Sequence, residues 1–358
     1  MLTVLPVTRS RRVLAAAAAA GAVVLTACSG GGSGRAGSAG TPPPGTPSTS
    51  VAAPTAPGAD APGRRQVGPP SPLSGRPSPR GLPVLAVKVD NVAGAFPQAG
   101  LDEADLVYVE EVEGGLTRLT VVFSSRIPPL VGPVRSGRTD NIELLAQLGM
   151  PEIAFSGAAP SVLSALRASV LRTADPDVVP GPYRQVSGHA APHNTFVDPA
   201  GLIKVKPGTP ARSVGLTFAD AFPGGTVVPR VRVTYPAASL SFAFDRGTQH
   251  WLLSQDGAAN ALSDGRRIAA STVVIQHVRQ TTDGNTKSED GSPTPYNVTV
   301  GSGPVTVLRD GRAFTGTWTR PSVTAGTRFV DAAGHDIPLR RGTTWVFLVP
   351  ASASVGMG

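Results

Sequence analysis

Three acids fall within four residues, at Glu110, Glu111 and Glu113. On a strand, Glu111 and Glu113 share a face about 6.6 Å apart, since the chain rises about 3.3 Å per residue. That spacing suits an acid/base pair or a divalent cation. His193, between Pro192 and Asn194, titrates near neutral pH and is the best lone group for proton transfer. Glu111, Glu113 and His193 are therefore the candidate catalytic residues. His189 stands four positions before His193, but in a Pro/Gly-rich loop that spacing assures no shared face, and no metal site is expected. A second chemistry is offered by Arg135-Ser136-Gly137-Arg138, just ahead of a helix start. Free backbone N–H groups, the helix dipole and two guanidiniums make Arg135, Ser136 and Arg138 a candidate anion site. The same arginines can instead pair with Asp140, Glu143 or the acidic hairpin, and Arg118 can neutralise Glu111. Asp90-Asn91 reads as a turn or as a ligand pair.

The wider sequence narrows these options. There is no nucleophile elbow, P-loop, dinucleotide fingerprint or H-E-x-x-H run, and no cofactor is expected. The single Cys excludes an intramolecular disulfide and a multi-cysteine zinc site. The formal charge of +8 invites a nucleic-acid reading, so its location matters. Residues 1–80 carry eight Arg against one acid, Asp60. The rest of the chain is almost neutral, and a phosphate-backbone binder needs more than that. No nucleic-acid partner is expected.

The N-terminus points out of the cytoplasm. Arg9, Arg11 and Arg12 precede an apolar run from Val13 to Ala27 that ends in Leu25-Thr26-Ala27-Cys28. A basic region, a short apolar region and a small-residue cleavage site make a secretory signal. The run is shorter than the roughly 20 residues a membrane-crossing helix needs. Its ending resembles a bacterial lipobox, in which Cys28 carries acyl chains such as palmitate and heads the mature protein. Two or more chains would anchor it stably at the outer face of the cytoplasmic membrane. Residues 29–80 are nearly all Gly, Pro, Ser, Ala and Thr. Such a stretch is expected to be a disordered stalk that contributes nothing to the fold.

Periodicity changes at Gly81. Strands are predicted over Leu82–Asn91, Asp105–Glu113 and Leu116–Ser124, with Gly114-Gly115 as a two-residue hairpin that sets Glu111 opposite Arg118. Helices are predicted over Thr139–Leu148, where Asp140 and Glu143 can form a capping box, and Pro160–Val170. Thr173 to Pro210 reads mostly as loop. From about Val227, short strands alternate with Asp-Gly and similar turns. Trp318 and Trp345 fall in strand patterns and read as core. The expectation is an α+β protein: a signal over 1–28, a linker over 29–80, a mixed α/β lobe over 81–222 and a smaller antiparallel β-rich lobe over 223–352.

Several stretches together resemble one family: VKVDN (Val87–Asn91), LDEADLVYVEEVEGGLTR (Leu101–Arg118), VGPVRSGRTDN (Val131–Asn141), APHNTFVD (Ala191–Asp198) and GTWTR (Gly316–Arg320). They are similar to the YerB-like bacterial lipoproteins, a two-part family without an established biochemical function. The resemblance implies an envelope lipoprotein with an N-terminal α+β part and a smaller C-terminal part, and it supplies no catalytic residues. The expected function is a non-enzymatic envelope lipoprotein, held to the membrane through Cys28, that binds an anionic envelope ligand or a partner protein. The alternative is a wall-modifying hydrolase or transferase acting on an anionic glycan or peptide.

Overall fold

Strands in which every residue is buried belong inside a sheet covered on both faces. β1 (Leu85–Asp90), β2 (Leu106–Glu111) and β3 (Thr117–Phe123) are of this kind. The computed structural model describes residues 68–79, 81–287, 291 and 293–358, within one compact unit, Ala61–Gly358. Cys28, its signal and residues 29–67 lie outside the described residues.

After β3 come α1 (Asp140–Ala146), β4 (Glu152–Ala154), α2 (Pro160–Ala168), β5 (Arg172–Ala174), β6 (Tyr183–Gln185), β7 (Thr195–Val197) and α3 (Pro199–Val205). The second half is all strand: β8 (Thr226–Val227), β9 (Arg230–Tyr235), β10 (Ala238–Asp245), β11 (His250–Gln255), β12 (Ala258–Ala259), β13 (Ala269–Ala270) and β14 (Thr272–His277). It continues with β15 (Arg279–Lys287), β16 (Pro293–Val298), β17 (Gly301–Arg309), β18 (Arg312–Arg320), β19 (Arg328–Val330), β20 (Thr344–Val349) and β21 (Ser354–Met357). The fold is thus a β-rich α+β one.

An eleven-stranded mixed sheet runs β19-β18-β17-β14-β20-β2-β3-β1-β4-β5, with β8 on β18. β20 lies between β2 and β14, parallel to both. The expected boundary near residue 222 therefore does not divide two separate sheets. β20, TWVFLV, is buried at every position and needs a central place with both faces covered. On one face Val107, Val109 and Trp345 pack against a six-stranded sheet, β12-β11-β10-β9-β21 with β13 on β11. Phe242 of that sheet meets the Trp345 ring edge-on at 5.4 Å. On the other face Leu106 and Val122 pack against Leu144 and Leu145 of α1 and Val162 and Leu166 of α2. Trp318 is buried in this second core, and both tryptophans are core residues.

Two expectations need correction. The stalk does not reach Gly81, because Leu73 is 0% exposed in the helix-side core. Arg76 ties the same stretch down by donating to Ala104 O (3.0 Å) and Thr343 Oγ1 (2.6 Å). Leu73 in the core and the Arg76 bonds together hold a run whose composition reads as disordered. The hairpin closes one residue earlier than Gly114-Gly115 alone would set it, so Glu110 faces Arg118 and Glu111 faces Thr117. Glu113, Gly114 and Gly115 all lie in the turn, where both glycines are left-handed at φ 69° and 70°. Gly115 is pressed on Pro236, where a Cβ would come within 2.5 Å, so no other residue fits. The segment from Thr173 to Pro210 is mostly loop, as expected, and within it lie the β6–β7 hairpin and α3. Asp198 caps α3 by accepting from Ala200 N (3.0 Å), with Pro199 at the first helical position.

Candidate functional site

The shift in hairpin register decides which charges meet. Side chains alternate across a strand, so Glu110 joins the helix-side face and Glu111 the opposite one. Register then aligns Asp90, Arg118 and Glu110 in one row across β1, β3 and β2. Lys88 and Thr120 form the next row. Lys88 Nζ donates to Glu110 Oε2 (2.6 Å) and Thr120 Oγ1 (3.0 Å), all buried. Asn141 Nδ2 of α1 also donates to Glu110 Oε2 (2.9 Å). Beside it, Asp140 Oδ2 accepts from Asn297 Nδ2 (2.9 Å). Burial and the Glu110 charge push the Asp140 carboxyl up to about 7, against the pull of Lys88. The expected capping box is not formed, since Asp140 turns to Asn297 and Glu143 accepts from Thr299 N (2.6 Å).

Asp90 is the junction of the cluster. Its carboxylate is fully buried and meets Arg118 (3.1 Å), Arg135 (3.1 Å) and His193 Nδ1 (2.6 Å). Arg135 is held there by its backbone, which runs alongside the end of β1: Arg135 N donates to Lys88 O and Asp90 N to Pro133 O. The loop carrying His193 is fixed next to it, Val134 N donating to Thr195 O (2.6 Å). Arg118 is almost wholly buried. Arg135 and His193 are 23% and 22% exposed, so the cluster opens to solvent through two cationic or protonatable groups.

The other candidates sit elsewhere. Arg138 makes a bidentate pair with Glu113, Nε to Oε1 at 2.9 Å and Nη2 to Oε2 at 2.7 Å. Burial opposes ionisation of Glu113, but the hydrogen bonds and charge of Arg138 outweigh it and hold the carboxyl below its ordinary range. Arg138 also donates to the carbonyls of Ser136 and Gly137, so its guanidinium is spent inside the protein. Glu111 accepts from Ser352 Oγ (2.9 Å) on the far face of the sheet. Glu111, Glu113 and His193 therefore do not converge, whereas Arg135 and His193 do. Arg118 neutralises Asp90 rather than Glu111. The His189 ring meets Phe196 at 5.1 Å, tilted by 58°. Among the described residues no three His, Cys, Asp or Glu side chains are placed to share a metal ion.

In the sequence Lys88 does not stand out, Glu110 appears only as one of three clustered acids, and Asp90 reads as turn or ligand. A signal was present in VKVD, where charges alternate within a strand otherwise apolar on both faces. Buried charges at alternate positions require partners on the same face.

Residues 73–212 match the family model described as "Protein of unknown function (DUF3048) N-terminal domain", and residues 231–346 match that of its C-terminal domain. Over 54 residues the chain is 48% identical to a Bacillus subtilis (strain 168) protein named "Putative lipoprotein YerB". That stretch is 15% of this chain and spans 16% of the relative's length. The crystal structure of YerB protein from Bacillus subtilis matches with a TM-score of 0.67 at 22% identity. The match covers 80% of this chain and 99% of that one, and at that identity it speaks to the fold alone.

Proposed function

This chain belongs to the two-part YerB-like (DUF3048) family of unknown function, and on that premise we propose that it is an envelope lipoprotein that binds an acidic ligand or partner at the solvent edge of the Asp90 cluster. Its place outside the cytoplasmic membrane rests on the signal ending in Cys28 and on the lipoprotein name of the relative. No helix among the described residues is long and apolar enough to cross a membrane.

One observation carries the binding reading. Asp90 is buried and gathers three cationic or protonatable groups, two of which, Arg135 and His193, face solvent. An anion arriving there meets groups already oriented by Asp90, so little side-chain freedom is lost on binding. Arg138 and Ser136 are supports rather than ligands in this reading. Thermal melts of the wild type and Arg135→Gln, each with and without millimolar phosphate or pyrophosphate, test it. Phosphate should protect the wild type and leave the variant unchanged; no shift in the wild type sinks the reading.

The Asp90–His193 contact also favours a second reading, a wall-modifying hydrolase or transferase. A carboxylate on Nδ1 orients a histidine so that Nε2 is free for proton transfer. Release of products from purified wall material, lost in His193→Gln, would support it over binding alone.

A further inference from the structure

The buried Lys88–Glu110 ion pair has a third member, Asn141. Lys88 Nζ and Asn141 Nδ2 both donate to one oxygen, Glu110 Oε2, at 2.6 and 2.9 Å. An amine and a carboxamide are thereby held side by side on a single carboxylate. Lys88 and Asn141 are wholly buried and Glu110 is 1% exposed. The other carboxylate oxygen, Glu110 Oε1, has no donor among the described residues.

The carboxamide is also held one way round. Asn141 Oδ1 accepts from the backbone N–H of Arg138 (2.9 Å), which leaves Nδ2 to face the acid. A donor on the carbonyl oxygen draws electrons from Cγ and stabilises the negative charge that an attacking nucleophile creates there. Lys88 reaches from β1 across β3, donating to Thr120 Oγ1 (3.0 Å) on the way. Asp140, the neighbouring acid, is engaged with Asn297 (2.9 Å), so Asn141 is the acyl group presented together with the amine. In water an amine scarcely attacks an amide. Fixed proximity in a site closed to water removes most of that barrier.

We propose that Lys88 and Asn141 become joined by an isopeptide bond, with Glu110 carrying the protons. Lys88 gives a proton to Glu110, and the freed Nζ lone pair forms a bond to Asn141 Cγ. The carbonyl electron pair moves onto Oδ1, against the Arg138 N–H. Glu110 passes its proton to Nδ2 and takes a second one from Nζ. The Cγ–Nδ2 bond breaks, the carbonyl re-forms and ammonia leaves. Lys88 and Asn141 then share a neutral amide, and Glu110 ends as a neutral acid, which needs fewer donors than a carboxylate. The reaction removes both charges of a buried ion pair and with them the desolvation that such a pair carries. The bond ties β1 to the first turn of α1 across the helix-side face of the sheet.

Tryptic digestion and mass spectrometry of the full mature protein test this. The wild type should resist cleavage after Lys88 and yield residues 81–118 joined to residues 139–167, lighter than their sum by one ammonia. Lys88→Met and Glu110→Gln should each release residues 139–167 as a free peptide. Free peptides 81–88 and 139–167 as the main products of the wild type overturn the proposal. So does a joined pair lighter by one water, which places the bond on Asp140, or a joined pair in Glu110→Gln. Should either variant fail to fold, the wild-type digest decides alone. The bond is independent of anion binding at Arg135 and His193.

Discussion

Asp90 Oδ2 and His193 Nδ1 lie 2.6 Å apart although 103 positions separate them in the chain. That contact, with Arg118 and Arg135 on the same carboxylate, joins β1, its antiparallel neighbour β3 and two loops at one buried acid. The consequence is a surface whose cationic edge is held from beneath.

Replacing the acid exposes how much depends on it. Asp90→Asn keeps the shape but leaves the nearly buried Arg118 without its counter-charge, which should cost about 3–5 kcal/mol. Adding Arg118→Met should recover at least half of that loss. By contrast Arg126→Ala, which breaks the exposed Arg126–Glu103 pair, should stay within about 1 kcal/mol. Urea unfolding of the four proteins measures all three. A loss under about 1 kcal/mol for Asp90→Asn would show that the cluster is incidental to the fold.

Glu152 makes stability depend on pH. It is fully buried on β4 and neither carboxyl oxygen has a hydrogen-bond partner among the described residues, so burial pushes it from 4.5 up to about 8. Between those values the folded protein binds more protons at this site than the unfolded chain does. Stability therefore falls as pH rises from about 4.5 to about 8 and levels beyond it. Asp140, raised from 3.8 to about 7, adds a slope of the same sign over a lower window. Glu152→Gln should flatten the upper part of the profile and be more stable than wild type at pH 8. Melts across pH 4 to 9 would contradict this if the two profiles ran parallel.

A chain beginning at Gly81 should be less stable than one beginning at Gly68. It loses Leu73 from the core and the Arg76 bonds to Ala104 and Thr343. Full burial of a leucine is worth about 2 kcal/mol, which lowers the Tm by about 3 °C in a domain of this size. Equal melting temperatures would mean that residues 68–79 rest on the domain without supporting it.

Cys28→Ala should move the protein from the membrane fraction to the medium or leave it as unprocessed precursor. Fractionation followed by immunoblotting reads the outcome. A processed, membrane-bound variant would remove the lipid tether from the proposed function.

Local chemistry alone settles a good part of this protein. Most strands from Arg230 onward fall where short β-branched runs between Asp-Gly and similar turns put them, to within a few residues, but β12, β13, β15 and β21 do not stand out in this way. The helix at Pro160 begins on its proline, and the one at Asp140 begins within a residue of the expected start although its capping box does not form. These signals act over a few residues, so they are legible without knowing the fold. The capped start of α3 was equally local and was there to be read in Asp198-Pro199. Tertiary structure alone decided the rest. Whether Arg118 lies opposite Glu110 or Glu111 depends on one residue of hairpin register, and Pro236, from a distant turn, presses on Gly115 where that register is set. The place of β20 between β2 and β14 depends on which distant strands cover an all-apolar run. The partners of Asp90 come from β3 and two remote loops, since a buried charge takes its counter-charge from wherever the fold brings one near.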